Sequence, residues 1–183
     1  MKLNLFSINP ITIIKRFQYK LLVKAGLSLG KNVYLDERVS LDPPFCWLIS
    51  IGDDCTLAKN VVILAHDAST KRYLNYTKIG RVQIGNRTFI GASSVILPGV
   101  TIGKNVIIGA GSVVTHDIPD NCVAYGNPAK VIESTEAYIQ RQKMNFNRRP
   151  RYQAKGWTIG NALTKRNRHI MNQDLSDGIG FVE

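Results

Sequence analysis

Apolar residues recur along this chain at a spacing of six. From Ile84 to Pro119 the sequence divides without a slip into IGNRTF, IGASSV, ILPGVT, IGKNVI, IGAGSV and VTHDIP, opening on Ile84, Ile90, Ile96, Ile102, Ile108 and Val114. Neither an α-helix nor an alternating strand has that period. The second place is usually glycine (Gly85, Gly91, Gly103, Gly109), and the fifth is small or branched (Thr88, Ser94, Val100, Val106, Ser112, Ile118). One large and one small inward side chain per six residues predicts a hexapeptide β-helix. In such an all-β solenoid each unit buries its aliphatic face only against the coils above and below. The repeat is therefore core, not a binding motif.

Three hexads close one triangular coil, which predicts coils at 29–50, 51–68, 84–101 and 102–119, the first carrying a bulge at Pro43-Pro44-Phe45-Cys46-Trp47. Residues 69–83 keep neither the period nor an apolar face and are expected to leave the coil as a loop, where function commonly resides. After Pro119 the repeat decays, and Gly126-Asn127-Pro128 reads as a turn before a closing strand. Upstream, Pro10 to Lys24 places Ile13, Ile14, Phe17, Leu21 and Leu22 at helical spacing among Lys15, Arg16, Lys20 and Lys24. This amphipathic helix reads as a cap on the open solenoid end, with peripheral contact to an inner membrane surface as the second reading. A short helix is expected from Ser134 to Met144. Beyond it, residues 141–168 hold nine Arg or Lys and read either as a polar tail against a neighbouring subunit or as a phosphate-binding segment. The expected domains are 1–28 (cap), 29–132 (β-helix) and 133–183 (basic helical and irregular extension).

The charge of +11 favours polyanionic partners: nucleic acid, anionic lipid, phosphate-bearing cofactors or sugar nucleotides. No interleaved aromatic and basic motif supports nucleic acid. Three cysteines (Cys46, Cys55, Cys122) lack disulfide or zinc spacing, and Cys55 takes a small inward place, so reduced structural thiols in a cytoplasmic protein are expected. No apolar run approaches the ~20 residues of a membrane span.

The hexads, the loop after ILAHDAS and the ending IGAGSVVTHDIPDNCVAYGNPAKVI together resemble the hexapeptide-repeat acyltransferases, in the branch of galactoside, maltose and polysaccharide O-acetyltransferases. The resemblance covers roughly residues 29–132. It implies a left-handed parallel β-helix, a homotrimer, and acetyl-CoA lying between adjacent subunits. It also implies transfer of acetyl to a sugar or glycan hydroxyl with no metal. That reaction needs a base for the hydroxyl proton and a donor for the thioester oxyanion. Among His66, His116 and His169, the resemblance selects His66 as the base. It assigns the oxyanion donor to the backbone N–H of Ala92, where relatives often have Ser, and leaves Phe89, often Trp in relatives, to wall the acyl site. The pantetheine arm is expected past Gly109, Ala110 and Thr115, and Lys130 is expected at the CoA phosphates. Glu133 stands where relatives are often basic, a departure that Arg148 and Arg149 of the tail are expected to offset. For the acceptor the candidates are Asp67, which could alternatively hydrogen-bond the base, Asn60 and Asp42. Without an activated thiol, direct transfer in a ternary complex is expected.

Three other functions fit parts of the chain. N-acetylation of a nucleotide-linked amino sugar uses the same base. A zinc-dependent carbonic anhydrase needs three converging histidines, and only His66 and His116 lie inside the repeats. An inactive trimeric scaffold has no use for His66.

Overall fold

The structure is a computed structural model and describes residues 10–36 and 38–183. Its elements begin with α1 (Pro10–Lys24), followed by β1 (Ser28–Leu29), β2 (Tyr34–Leu35), β3 (Ser40–Leu41), β4 (Ile49–Ile51), β5 (Thr56–Leu57) and β6 (Val62–Ile63). An excursion holds β7 (His66–Asp67), α2 (Lys71–Leu74) and β8 (Lys78–Ile79). The repeat resumes with β9 (Val82–Ile84), β10 (Phe89–Ile90), β11 (Val95–Ile96), β12 (Thr101–Ile102), β13 (Ile107–Ile108) and β14 (Val113–Val114). The chain ends with β15 (Cys122–Gly126), β16 (Ala129–Ser134), α3 (Thr135–Arg148), β17 (Arg151–Tyr152), α4 (Lys165–Asp174) and β18 (Phe181–Val182).

The short strands fall into three parallel sheets. The first is β1-β4-β9-β12, the second β2-β5-β10-β13-β15 and the third β3-β6-β11-β14. The chain visits them in strict rotation, so each strand lies on the strand one turn earlier: Leu41 sits against Ile63, Ile63 against Ile96 and Ile96 against Val114. The first hexad place points inward at every level from Leu41 to Val114, and the fifth adds Cys55, Val61, Thr88, Ser94, Val100, Val106 and Ser112. Each fully buried Ile or Leu contributes about 1.5–3 kcal/mol. The polar members are not left unpaired. Thr88 Oγ1 donates to the Gly103 carbonyl, and Ser94 and Ser112 both donate to the Gly109 carbonyl.

The fourth place of the hexad turns most corners. Asn32, Arg38, Asp54, Asn60, Arg87, Ser93 and Asn105 all have φ between 53° and 63°, and Gly99 and Gly111 lie at 87° and 70°, whereas Asp117 of VTHDIP has no positive φ. This left-handed conformation is why Asn, Asp and Gly recur there. The second-place glycines have a different cause: a Cβ on Gly85 would lie 2.6 Å from the Gly103 backbone, so the next coil forbids it.

The excursion begins earlier and is more ordered than the expected loop over 69–83. Its two strands pair antiparallel, His66 with Ile79 and Asp67 with Lys78, and Val82 is already buried in the first sheet. At the other end, β15 and β16 form the hairpin expected around Gly126–Pro128. The three thiols are free and buried. Of α1, Tyr19 and Leu22 pack on the core, and the Tyr19 hydroxyl donates to the Val39 carbonyl at 3.1 Å. Ile13, Ile14, Lys15 and Arg16 lie outside the residues whose side chains the structure describes.

Two compact units partition the chain, one reaching to Glu136 and the other built on residues 137–183. The second is a folded unit, not a polar tail: β17 pairs parallel with β18, Tyr152 stacks on Trp157 at 4.6 Å, and Phe146 meets Phe181 edge-on at 5.2 Å. Arg149 closes it, donating from Nε to the Ile179 carbonyl and from Nη2 to Asp177. Two of the five N–H donors of the Arg149 guanidinium, expected at the CoA phosphates, are thus committed within this unit.

Candidate active site

Asp42 follows β3 and His66 follows β6, one coil later on the same corner, between the third and first sheets. Since Leu41 is in register with Ile63, the Asp42 carboxylate reaches the backbone just beyond Ile63. Its Oδ2 accepts from the N–H of Ala65 at 2.6 Å and of His66 at 3.0 Å, and both oxygens lie 2.7–2.8 Å from His66 Nδ1. The carboxylate is buried while the imidazole is about one-third exposed, and the Phe45 ring packs on it at 5.0 Å. To place Asp42 there the chain holds it at φ 41° ahead of the Pro43–Leu48 turn, a conformation a non-glycine residue adopts at a cost.

The arrangement fixes the tautomer. A carboxylate can only accept, so Nδ1 carries the hydrogen and Nε2 presents its lone pair outward. Held this way, an imidazole can take a proton at Nε2 while the carboxylate behind it stabilises the resulting cation.

This corrects two expectations. Asp42 is not available to an acceptor, because its oxygens are filled by the two amides and the ring. Nor does Asp67 orient the base: it pairs with Lys78 at 2.6 Å and accepts from the Ser69 N–H, and Lys78 holds its carboxyl down at about 2. Asp67 therefore pins the excursion hairpin.

The other predicted residues fall elsewhere. Ala92 and Ala110 lie on the corner between the second and third sheets, stacked so that the Gly111 N–H donates to the Ala92 carbonyl. The Ala92 N–H itself donates to no acceptor among the described residues. Asn60 is the turn residue of that corner one coil earlier. Gly109 is not open to a ligand as expected: a Cβ there would meet Tyr125 Cβ at 2.7 Å, so the chain itself fills the space. Thr115 lies on the His66 corner two coils on, with its hydroxyl 2.8 Å from His116 Nδ1. Phe89 faces outward on the second sheet and lines a groove of 470 Å³ with Arg87, Asn105 and Asn121, so it does not wall the His66 side of its own chain. Lys130 is exposed on β16 opposite Tyr125.

Burial pushes the Cys55 and Cys122 thiols up, away from the thiolate a nucleophile requires. Among the described residues no group of three or more His, Cys, Asp or Glu side chains could hold a metal ion. Nor is any helix among them long and apolar enough to cross a membrane.

The family of bacterial transferase hexapeptide repeats matches residues 81–116, and a hexapeptide repeat of succinyl-transferase matches residues 49–65. Protein CapG of Staphylococcus aureus is 45% identical over 144 residues, covering 70% of this chain and 83% of that one. A maltose O-acetyltransferase from Clostridium difficile 630 superposes with a TM-score of 0.53 at 32% identity, covering 65% of this chain and 75% of that one. A galactoside acetyltransferase in complex with coenzyme A gives 0.55 at 29% identity, over 72% and 76% of the two chains. On the repeat, the stacked parallel sheets and these likenesses, the chain belongs to the hexapeptide-repeat acyltransferases.

Proposed function

We propose that this chain transfers an acetyl group from acetyl-CoA to a hydroxyl of a sugar or glycan, within surface-polysaccharide or oligosaccharide synthesis. In this reading the three sheets form a left-handed β-helix, three copies associate, and acetyl-CoA lies in the groove between neighbours. Family membership and the likeness to a galactoside acetyltransferase with coenzyme A support those features. The chemistry rests on one observation, the His66 ring held through Nδ1 by buried Asp42.

The acceptor hydroxyl gives its proton to His66 Nε2 as its oxygen attacks the thioester carbonyl. Negative charge then gathers on the carbonyl oxygen, and the Ala92 N–H, which has no acceptor among the described residues, serves as the donor to it. Collapse of the tetrahedral intermediate breaks the C–S bond, and the departing thiolate takes the proton back from the imidazolium. Asp42 stabilises the imidazolium between these two steps. Within one copy, His66 and Ala92 stand at different corners with the third sheet between them. One site using both therefore takes His66 from one copy and Ala92 from the next. Ala110, above Ala92, borders the path of the pantetheine arm, and exposed Lys130 meets the CoA phosphates.

The test is thiol release from acetyl-CoA over a panel of sugars, nucleotide sugars and lipid-linked oligosaccharides, run beside His66→Ala. At least one acceptor should give turnover, and the variant should lose about 10²–10⁴ in rate. A His66→Ala protein as active as its parent would remove the mechanism.

A further inference from the structure

We infer that the outer face of α1 is a docking surface for an anionic lipid bilayer. α1 turns Tyr19 and Leu22 toward the core. At 100° per residue, Phe17 and Leu21 fall on the opposite side, with Lys20 and Lys24 on the same arc. Phe17 is 63% exposed and Leu21 47%, although each is large enough to contribute to a core. Apolar side chains set one turn apart and facing away from the fold mark a contact surface.

The charge of this segment of sequence identifies the partner. Residues 1–35 contain Lys2, Lys15, Arg16, Lys20, Lys24 and Lys31 and no Asp or Glu. Neither Lys20 nor Lys24 has an ion-pair partner among the described residues. A helix with Phe and Leu on one strip and lysines beside it suits the headgroup boundary of an anionic membrane. There the rings and branched chains enter the acyl region while the lysines meet lipid phosphates. A second copy of the chain fits worse, since a symmetric contact on this face would set lysines against lysines. Joined to the acetyl-transfer reading, on which this last step rests, the surface favours an acceptor glycan carried on a membrane lipid.

Sedimentation of the full chain with vesicles tests the surface without any chemistry. Vesicles of phosphatidylcholine with phosphatidylglycerol should bind it, pure phosphatidylcholine should not, and added salt should weaken the binding. Lys20→Glu with Lys24→Glu should lower the affinity about tenfold or more. Phe17→Ser with Leu21→Ser should lower it as well. All four side chains lie on the surface, so both variants should keep the parent's circular dichroism and its thiol release with a free sugar. The inference is overturned if the parent ignores anionic vesicles or binds neutral ones equally well. It is overturned equally if the Phe17 and Leu21 variant changes the mass of the assembly, which would place this face between copies. Vesicle binding without turnover on any acceptor would defeat the acetyl-transfer reading and leave the surface standing.

Discussion

In the proposed mechanism the chemistry turns on which ring nitrogen of His66 carries the hydrogen, and Asp42 sets that. In Asp42→Asn the side-chain oxygen can still accept from the Ala65 and His66 amides, but the amide nitrogen then faces Nδ1 as a donor. The ring answers by moving its hydrogen to Nε2, which removes the base. Turnover should fall by about 10²–10⁴ while acetyl-CoA binding and the folded spectrum stay near the parent's. Steady-state kinetics with binding by calorimetry checks this, and an Asn variant of normal rate would show that Asp42 does not select the tautomer. His66 was singled out in the sequence by its resemblance to the family's histidine at the break of the coil, a role still to be tested. Asp42 was not legible as its partner. Finding it needs the register of Leu41 on Ile63 across the irregular Pro43–Leu48 turn, which hexad counting treats only as a bulge. Asp67 misled through adjacency in sequence, since consecutive residues of β7 point to opposite sides. Its carboxyl titrates at about 2 in the fold against an ordinary 3.8, held down chiefly by Lys78. A lowered carboxyl stabilises in full above the ordinary value and loses that contribution as pH falls toward 2. Amide protection in the hairpin, corrected for intrinsic exchange, should therefore be flat from pH 7 to about 4 and drop below it. Asp67→Asn should abolish that step.

At the scale of the element, six residues suffice because each unit is a two-residue strand and a corner, and most corners take one left-handed residue. The period and the inward places could be read directly from Ile84 onward. The fourth-place rule was harder to see, because Arg38, Arg87 and Ser93 occupy it beside the more permissive Asn and Gly. Those exceptions are strained relative to glycine by about 1–2 kcal/mol, while glycine costs about 0.4–1 kcal/mol through the unfolded chain. Ser93 is exposed, so little else offsets the comparison. Ser93→Gly should raise stability by about 0.5–1 kcal/mol, read as a higher urea midpoint at unchanged slope. Gly109 and Gly111 show why glycines in one hexad cannot be interpreted alike. The first is small because Tyr125 occupies its Cβ position, and the second is glycine because of its φ of 70° with open space around it. Sequence alone takes Gly109 for room left to a ligand and gives Gly111 no role.

Several of the predicted site residues sort onto two edges of the winding. His66, Asp42 and Thr115 share one corner, Ala92 and Ala110 another, and the third sheet separates them. Proton removal and oxyanion stabilisation must act within a few ångströms of one carbonyl, so neither edge alone is a complete site. In the proposed ring of three, cyclic association would bring one edge of each copy to the other edge of its neighbour and make three seams. The arrangement is testable by mixing. His66→Ala copies keep the amide donor but lack the base. Ala92→Pro copies keep the base but lack the N–H, since proline has none. Each alone should be close to inactive. In a hybrid ring of either composition, one seam joins an intact His66 to an intact Ala92 N–H, so that ring should recover about one-third of the parent rate. Activity that returns only after the two variants are unfolded together and reassembled would place the site between copies. Hybrids no more active than their parents would mean that both groups serve a site within a single chain, or that Ala92 is not the donor.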